Sequence, residues 1–277
     1  MDCPIFVINL KKDLKKRNTM QSMADRYSYK LNFIDAVYGK DLDQGYIDSV
    51  CNHEESIKLF NRPLFRGEVG VALSQMSIYK KMLDEDIEQA IIFEDDVIFD
   101  DSLGEVIKHI DDFPKDLELI LLGYHRGFIS NTKYRISFRE KKQISKNFKV
   151  VRFTDKMDGA FAYLITKKGA KKLYDILNKS IIKAVDNYTG DDSYINLYGL
   201  WPKCVNVDAS LESTINEERK MFNTQSANKK ELSGVKRVLN SLGIFRPLQL
   251  LMGKYMEIRN ELKHLPLMLE KPKKYEL

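Results

Sequence analysis

Ala90-Ile91-Ile92-Phe93-Glu94-Asp95-Asp96-Val97-Ile98-Phe99 passes from four apolar residues into three consecutive carboxylates and back to an apolar triplet. An unbroken apolar run of this kind fits a strand covered on both faces, as in a parallel sheet. Three adjacent carboxylates at its end repel one another and are pressed toward a low dielectric, so something should neutralise them. A hard divalent cation, Mg²⁺ or Mn²⁺, shared between carboxylates and a diphosphate would do so through oxygen ligands. On a continuing strand alternate side chains share a face, so Glu94 and Asp96 are expected to point together as the metal pair, and Asp95 away. Taken alone, such a triplet is more often just an acidic turn. Its neighbours must decide.

Upstream, Pro4 to Leu10 is a short β-rich apolar run, and the charged segment after it, with Leu14, Met20 and Met23 at candidate buried positions, predicts a helix. Leu31 to Val37, closed by Gly39, predicts a second strand, and 40–66 an irregular surface region. From Gly67 to Asp84, Val69, Ala72, Leu73, Met76, Tyr79 and Leu83 recur at helical spacing. Downstream, Leu117 to Leu122, Ala160 to Ile165 and Cys204 to Val207 predict strands, Gly169 to Asn178 a helix, and 124–149 a mobile loop or hairpin. Strands alternating with helices predict an α/β fold with a largely parallel sheet flanked by helices, in which ligands bind beyond the carboxyl ends of the strands.

The net charge of +5 is unevenly spread. Residues 213–277 hold 13 Lys/Arg against 7 Asp/Glu, a balance of +6, which leaves about −1 for 1–212. This divides the chain into a catalytic domain at 1–212 and a basic, mainly helical extension at 213–277, whose natural partner is anionic. Apolar residues at 43% and charged residues at 31% exclude disorder, and no run is long enough to span a bilayer. Cys3, Cys51 and Cys204 have no CxxC spacing, so neither a disulfide framework nor a zinc site is indicated. With no basic leader at the amino terminus, the chain is expected in the cytoplasm.

Several segments in order resemble glycosyltransferase family 25, the lipooligosaccharide-type glycosyltransferases. They are Val7-Ile8-Asn9-Leu10 with Arg17, Phe33 to Val37 with Gly39, Arg66 to Gln75, Phe93 to Val97, Gly159 to Ile165 with Gly169-Ala170, and Val185-Asp186. The resemblance implies a GT-A-like fold, a UDP-sugar donor, often UDP-galactose or UDP-glucose, a divalent metal at Glu94-Asp95-Asp96, and a lipid-linked saccharide acceptor. It implies donor contacts at Ile8, Asn9, Leu10, Arg17, Ala36, Glu68, Ser74 and Asp95, with Arg17 meeting phosphate. The chain departs from the family at Gln75, where His is usual; an amide hydrogen-bonds but carries no proton near neutral pH. Glu68 reads equally well as an acid favouring a helix amino terminus. The Gly159-Ala160 pair would allow close backbone approach to sugar or metal.

A second acidic cluster, Asp186, Asp191 and Asp192, would supply the base that takes the acceptor hydroxyl proton, Asp192 first. The competing meaning is a helix cap, with Asp191 or Asp192 opening a helix through Tyr194, Ile195 and Tyr198 to Gly199. His53, His109, His125 and His264 lack metal-binding spacing, and His125 alone follows a buried strand end. The expected chemistry is metal-dependent, inverting hexosyl transfer, galactose first, by a protein resting peripherally on an anionic inner membrane through its extension. A sugar nucleotidyltransferase is the rival enzyme, but residues 9–20 lack the glycines of its loop. A membrane-surface or nucleic-acid-binding protein led by the basic tail is the other alternative, although no nucleic-acid module is present.

Overall fold

The computed structural model describes residues 3–125, 136–153, 156–208, 210 and 211. The extension at 213–277 and His264 lie outside them, as do residues 126–135 of the expected 124–149 loop or hairpin. In chain order the elements are β1 (Ile5–Asn9), α1 (Leu14–Arg26), β2 (Leu31–Asp35), α2 (Gln44–Val50), α3 (His53–Phe60), α4 (Arg66–Asp84), β3 (Gln89–Glu94), β4 (Val97–Phe99) and α5 (Ser102–Lys108). There follow β5 (Leu119–His125), β6 (Ile136–Gln143), β7 (Lys149–Phe153), β8 (Asp158–Thr166), α6 (Lys167–Lys179), α7 (Asp186–Thr189), β9 (Leu197–Trp201) and β10 (Val205–Val207).

Eight strands form one sheet in the order β2-β1-β3-β8-β5-β9-β7-β6, and β10 pairs with β4 in a small second sheet. Six of the eight run in one direction, with β7 and β8 against them. The fold is mixed α/β with a mostly co-directional central sheet flanked by helices. Alternation along β3 sends Ala90 and Ile92 into one core, with Val69, Ile78, Met82 and Leu173 from α4 and α6. Ile91 and Phe93 enter the other, with Met20 of α1, Leu103 of α5 and Phe99 of β4. Helices on both faces explain why this strand carries no polar residue between Gln89 and Glu94.

One expectation is corrected. Residues 191–199 do not form a helix: Asp191 Oδ1 accepts the Ser193 backbone N–H (3.0 Å) and hydroxyl (2.7 Å), closing a turn. The chain then enters β9, which is hydrogen-bonded between β5 and β7. Buried residues at successive positions of β9 reflect a central strand, and their spacing imitates a helix over so short a run. In the described part of 124–149 the hairpin alternative is the one found: β6 and β7 pair antiparallel at the sheet edge.

Candidate active site

β1 and β3 are neighbouring parallel strands in a register that sets Ile8 beside Glu94. Their carboxyl ends open into a cleft lined by Ile8, Leu10, Ala36 and Ser74 from the expected donor contacts, together with Glu94, Asp95 and Asp96. β3 stops at Glu94, and Asp95 and Asp96 form the turn into β4. Strand alternation therefore does not extend through the triplet, and all three carboxylates face one cleft.

What separates them is their partners. Asp95 Oδ1 is 2.9 Å from Lys16 Nζ and its Oδ2 accepts from Asn9 Nδ2 at 2.8 Å, so both oxygens are engaged. Asp96 Oδ1 and Asn9 Oδ1 are both buried and receive no hydrogen bond among the described residues. Glu94 is driven up to about 8 by burial first, then by the charges of Asp96, Asp95 and Asp186. Asp96 is also raised, by burial above all, with Lys16 pulling the other way. Burial disfavours the Lys16 ammonium, but its hydrogen bond to Asp95 and the charges of Asp95, Asp96 and Asp13 outweigh this and keep it charged. A pocket that holds an unsatisfied buried carboxylate oxygen and resists the ionisation of its own carboxylates fits a cation. Glu94 and Asp96 are the pair that would take it. Among the described residues no three His, Cys, Asp or Glu side chains are grouped to hold a metal ion, so the protein would supply only part of the coordination shell.

The cleft's other wall is packed without slack. The Val37 N–H donates to Ser74 Oγ (2.8 Å), and that hydroxyl donates to the Gly70 carbonyl (2.7 Å). A Cβ on Gly39 would lie 1.8 Å from the Arg66 carbonyl oxygen, and one on Gly70 would lie 2.6 Å from that of Val37. These glycines permit the segment after β2 to lie directly on α4.

Other expected site residues have different company. Arg17 is not among the cleft-lining residues; its guanidinium lies over the Phe33 ring at 4.4 Å. One residue along a helix is a rotation of about 100°, which puts Lys16 rather than Arg17 toward the carboxylates. Glu68 is buried at the start of α4, paired by both oxygens with Arg62 (2.7 and 2.8 Å) and accepting from the Phe65 N–H. That is a helix-terminus role. Gln75 is fully buried, and its Oε1 accepts from the hydroxyls of Tyr79 (2.9 Å) and Tyr163 (2.7 Å). Gly159, at φ +120°, has the Phe161 ring and Tyr124 as its near neighbours, so its close approach is to the protein's own side chains.

In the second acidic cluster, Asp186 at the start of α7 is the member whose charge reaches Glu94. Asp191 is buried in its turn and paired with Lys156. Burial works to raise it, but Lys156 and the Ser193 hydrogen bonds win and hold it below its ordinary value. Asp192 is half-buried in the same turn. His53 and His109 sit beside Asp48 and Asp112, away from the cleft, and His125 leans on Phe161 with ring centroids 4.8 Å apart. The three cysteines are unpaired. The sequence reading missed Lys16; its signal was its place three residues after Asp13, whose side chain accepts the Lys16 N–H and starts α1 there.

Human procollagen galactosyltransferase 2 is 28% identical over 178 residues, covering 61% of this chain but 27% of that protein. A putative glycosyltransferase of Haemophilus influenzae is 26% identical over 196 residues, covering 68% of this chain and 62% of that one. The chain thus spans about a quarter of the procollagen enzyme. Among solved structures, a glycosyltransferase involved in glycosylating the major capsid of PBCV-1 aligns at a TM-score of 0.33 and 8% identity, covering 64% of this chain and 65% of that one. The family model described as glycosyltransferase family 25 (LPS biosynthesis protein) matches residues 2–189, taking in both strands of the cleft, the carboxylate triplet and Asp186. The chain belongs to glycosyltransferase family 25.

Proposed function

We propose that this protein transfers a hexose, galactose first, from a UDP-sugar to a saccharide hydroxyl on a lipooligosaccharide or related glycan. The observation that carries the reading is the asymmetric triplet: Asp95 is fully engaged by Lys16 and Asn9, while the half-buried Glu94 and Asp96 resist ionisation and Asp96 keeps an unpartnered buried oxygen. Such a pair would hold Mg²⁺ or Mn²⁺, which would supply positive charge against the departing diphosphate. Galactose is favoured because relatives are named procollagen galactosyltransferases, and a lipopolysaccharide-type acceptor because of the family description.

The remaining roles fall to the chain's own residues. Ile8, Leu10 and Ala36 form the apolar side of the donor cleft, and Ser74 fixes its wall. Asp186, whose charge reaches Glu94, is the carboxylate we assign to take the acceptor proton, ahead of Asp192 and Asp191. In a single displacement the acceptor oxygen bonds to the sugar's anomeric carbon, the bond to the diphosphate oxygen breaks, and the proton passes to that carboxylate. Among the described residues no helix is long and apolar enough to cross a membrane. We assign the basic segment 213–277 to contact with an anionic membrane surface; its removal should release the protein from anionic vesicles.

A panel of nucleotide sugars with Mn²⁺, Mg²⁺ or chelator, read as thermal stabilisation and as release of UDP, tests the reading. Metal-dependent stabilisation by UDP-galactose with UDP as product is expected. Release of pyrophosphate, or full turnover in excess chelator, would overturn it.

A further inference from the structure

Of the cationic residues that follow β1 and β2, Lys16 and Lys40 line the cleft. Lys12 Nζ lies 3.2 Å from the centroid of the Tyr38 ring, Arg17 covers Phe33, and Lys40 lies on the wall formed after β2. Lys16 reaches the triplet. Its side chain is 12% exposed and pairs at 2.9 Å with Asp95, itself 14% exposed. Asn9, 1% exposed, grips the second oxygen of Asp95, so that the carboxylate stays fixed whether or not the ammonium is in place.

The cleft therefore carries a charge problem. Its lining has four carboxylates, Asp13, Glu94, Asp95 and Asp96, against two ammonium groups, Lys16 and Lys40. A diphosphate entering it meets a surplus of its own sign, and a divalent cation meets an ammonium among the carboxylates it needs. Both obstacles disappear if the ammonium changes partners. Lysine suits such an exchange, being a point charge with three donors on a flexible stem, whereas a guanidinium demands a fixed geometry.

We propose that Lys16 is a diphosphate-binding residue held in reserve: in the ligand-free protein it neutralises Asp95, and when donor and divalent cation enter together it moves to the diphosphate oxygens. The assignment rests on the nucleotide-sugar reading above and adds the residue that couples donor binding to cation binding. Each ligand removes an obstacle to the other, and such coupling is reciprocal. Asp95 is then the holder of Lys16, with Glu94 and Asp96 left for the cation.

Lys16→Met keeps the stem and removes the charge. Measured by calorimetry, UDP affinity at saturating Mn²⁺ should fall about tenfold, the worth of one charge-assisted hydrogen bond. Mn²⁺ alone should bind severalfold more tightly, since its competitor is gone, and Lys16→Arg should recover part of the UDP affinity. A damaged fold weakens both ligands, so opposed shifts report the exchange. Weaker binding of both, or unchanged UDP binding, overturns the assignment. Asp95→Asn provides a second test that does not remove Lys16: freeing the ammonium should strengthen UDP binding about threefold, and equal or weaker binding counts against the exchange. If the parent protein binds no UDP with Mn²⁺, the nucleotide-sugar reading fails and this assignment with it. If the parent binds UDP and Lys16→Met binds it equally, only the assignment fails.

Discussion

Glu94 and Glu118 are the same residue type buried at opposite ends of one sheet, and their surroundings treat them in opposite ways. Glu118, at the amino end of β5, accepts from Lys172 (2.7 Å), Lys168 (2.9 Å) and the Asn196 N–H (2.9 Å). Burial works to raise it, but these partners prevail and hold it below the usual carboxylate range. Glu94, at the carboxyl end of β3, is driven to about 8 by burial and by three other carboxylates, with Lys16 a weak counterweight. The fold satisfies the acid it uses as structure. It leaves wanting the one that faces the cleft, and that want is the sign of a binding role.

The largest effect expected from this contrast is on turnover. Glu94→Gln or Asp96→Asn should reduce sugar transfer by at least about 100-fold, as removal of a group stabilising transition-state charge does, while Glu118→Gln keeps its activity per folded molecule. A steady-state assay normalised to folded protein decides it, and a Glu94→Gln enzyme of undiminished rate would erase the distinction. Stability should move the other way. Glu118→Gln loses charge-assisted hydrogen bonds and should destabilise by roughly 2 kcal/mol. Glu94→Gln removes a desolvated charge and should stabilise the chelator-treated protein above pH 8 by on the order of 1 kcal/mol. Chemical denaturation of both variants measures this, and shifts of the same sign would contradict it.

The smallest and most diagnostic effect is the pH slope. The folded protein holds a proton on Glu94 that the unfolded chain releases near 4.5, so this group's contribution to stability falls as pH rises from about 4.5 to about 8. For Glu118 the order is reversed: its contribution is present above about 4.5 and fades as pH drops through its lowered folded value. Difference curves of parent minus variant should slope oppositely, and parallel curves would show that the two sites are electrostatically alike.

The same contrast explains what could be read in advance. The strands and helices that pack on a core announced themselves: β1, β3, β8, α4 and α6 carry periodic apolar residues because each buries a face. β9 did not, because a five-residue central strand has too few positions to separate a period of two from one of 3.6. The triplet was visible as a cluster of like charges, but its internal division depended on where β3 ends and on Lys16 and Asn9, residues 79 and 86 positions from Asp95. Arg17 was favoured over Lys16 for its chemistry; the helix phase set by Asp13 chose otherwise. Asp192 ranks ahead of Asp191 and Asp186 on sequence grounds, but the turns and partners that distinguish the three are set by the fold.

The close seating of Gly39 and Gly70 has one more consequence. A wall on which a backbone segment lies directly against a helix, pinned through Ser74, has no slack to take up when a ligand arrives. The conformational entropy of that segment is already spent in folding, so donors entering there meet a rigid mould and are graded by fit alone. Discrimination between donors on this side should accordingly be a property of shape, with little change in heat capacity beyond that of the ligand surface buried.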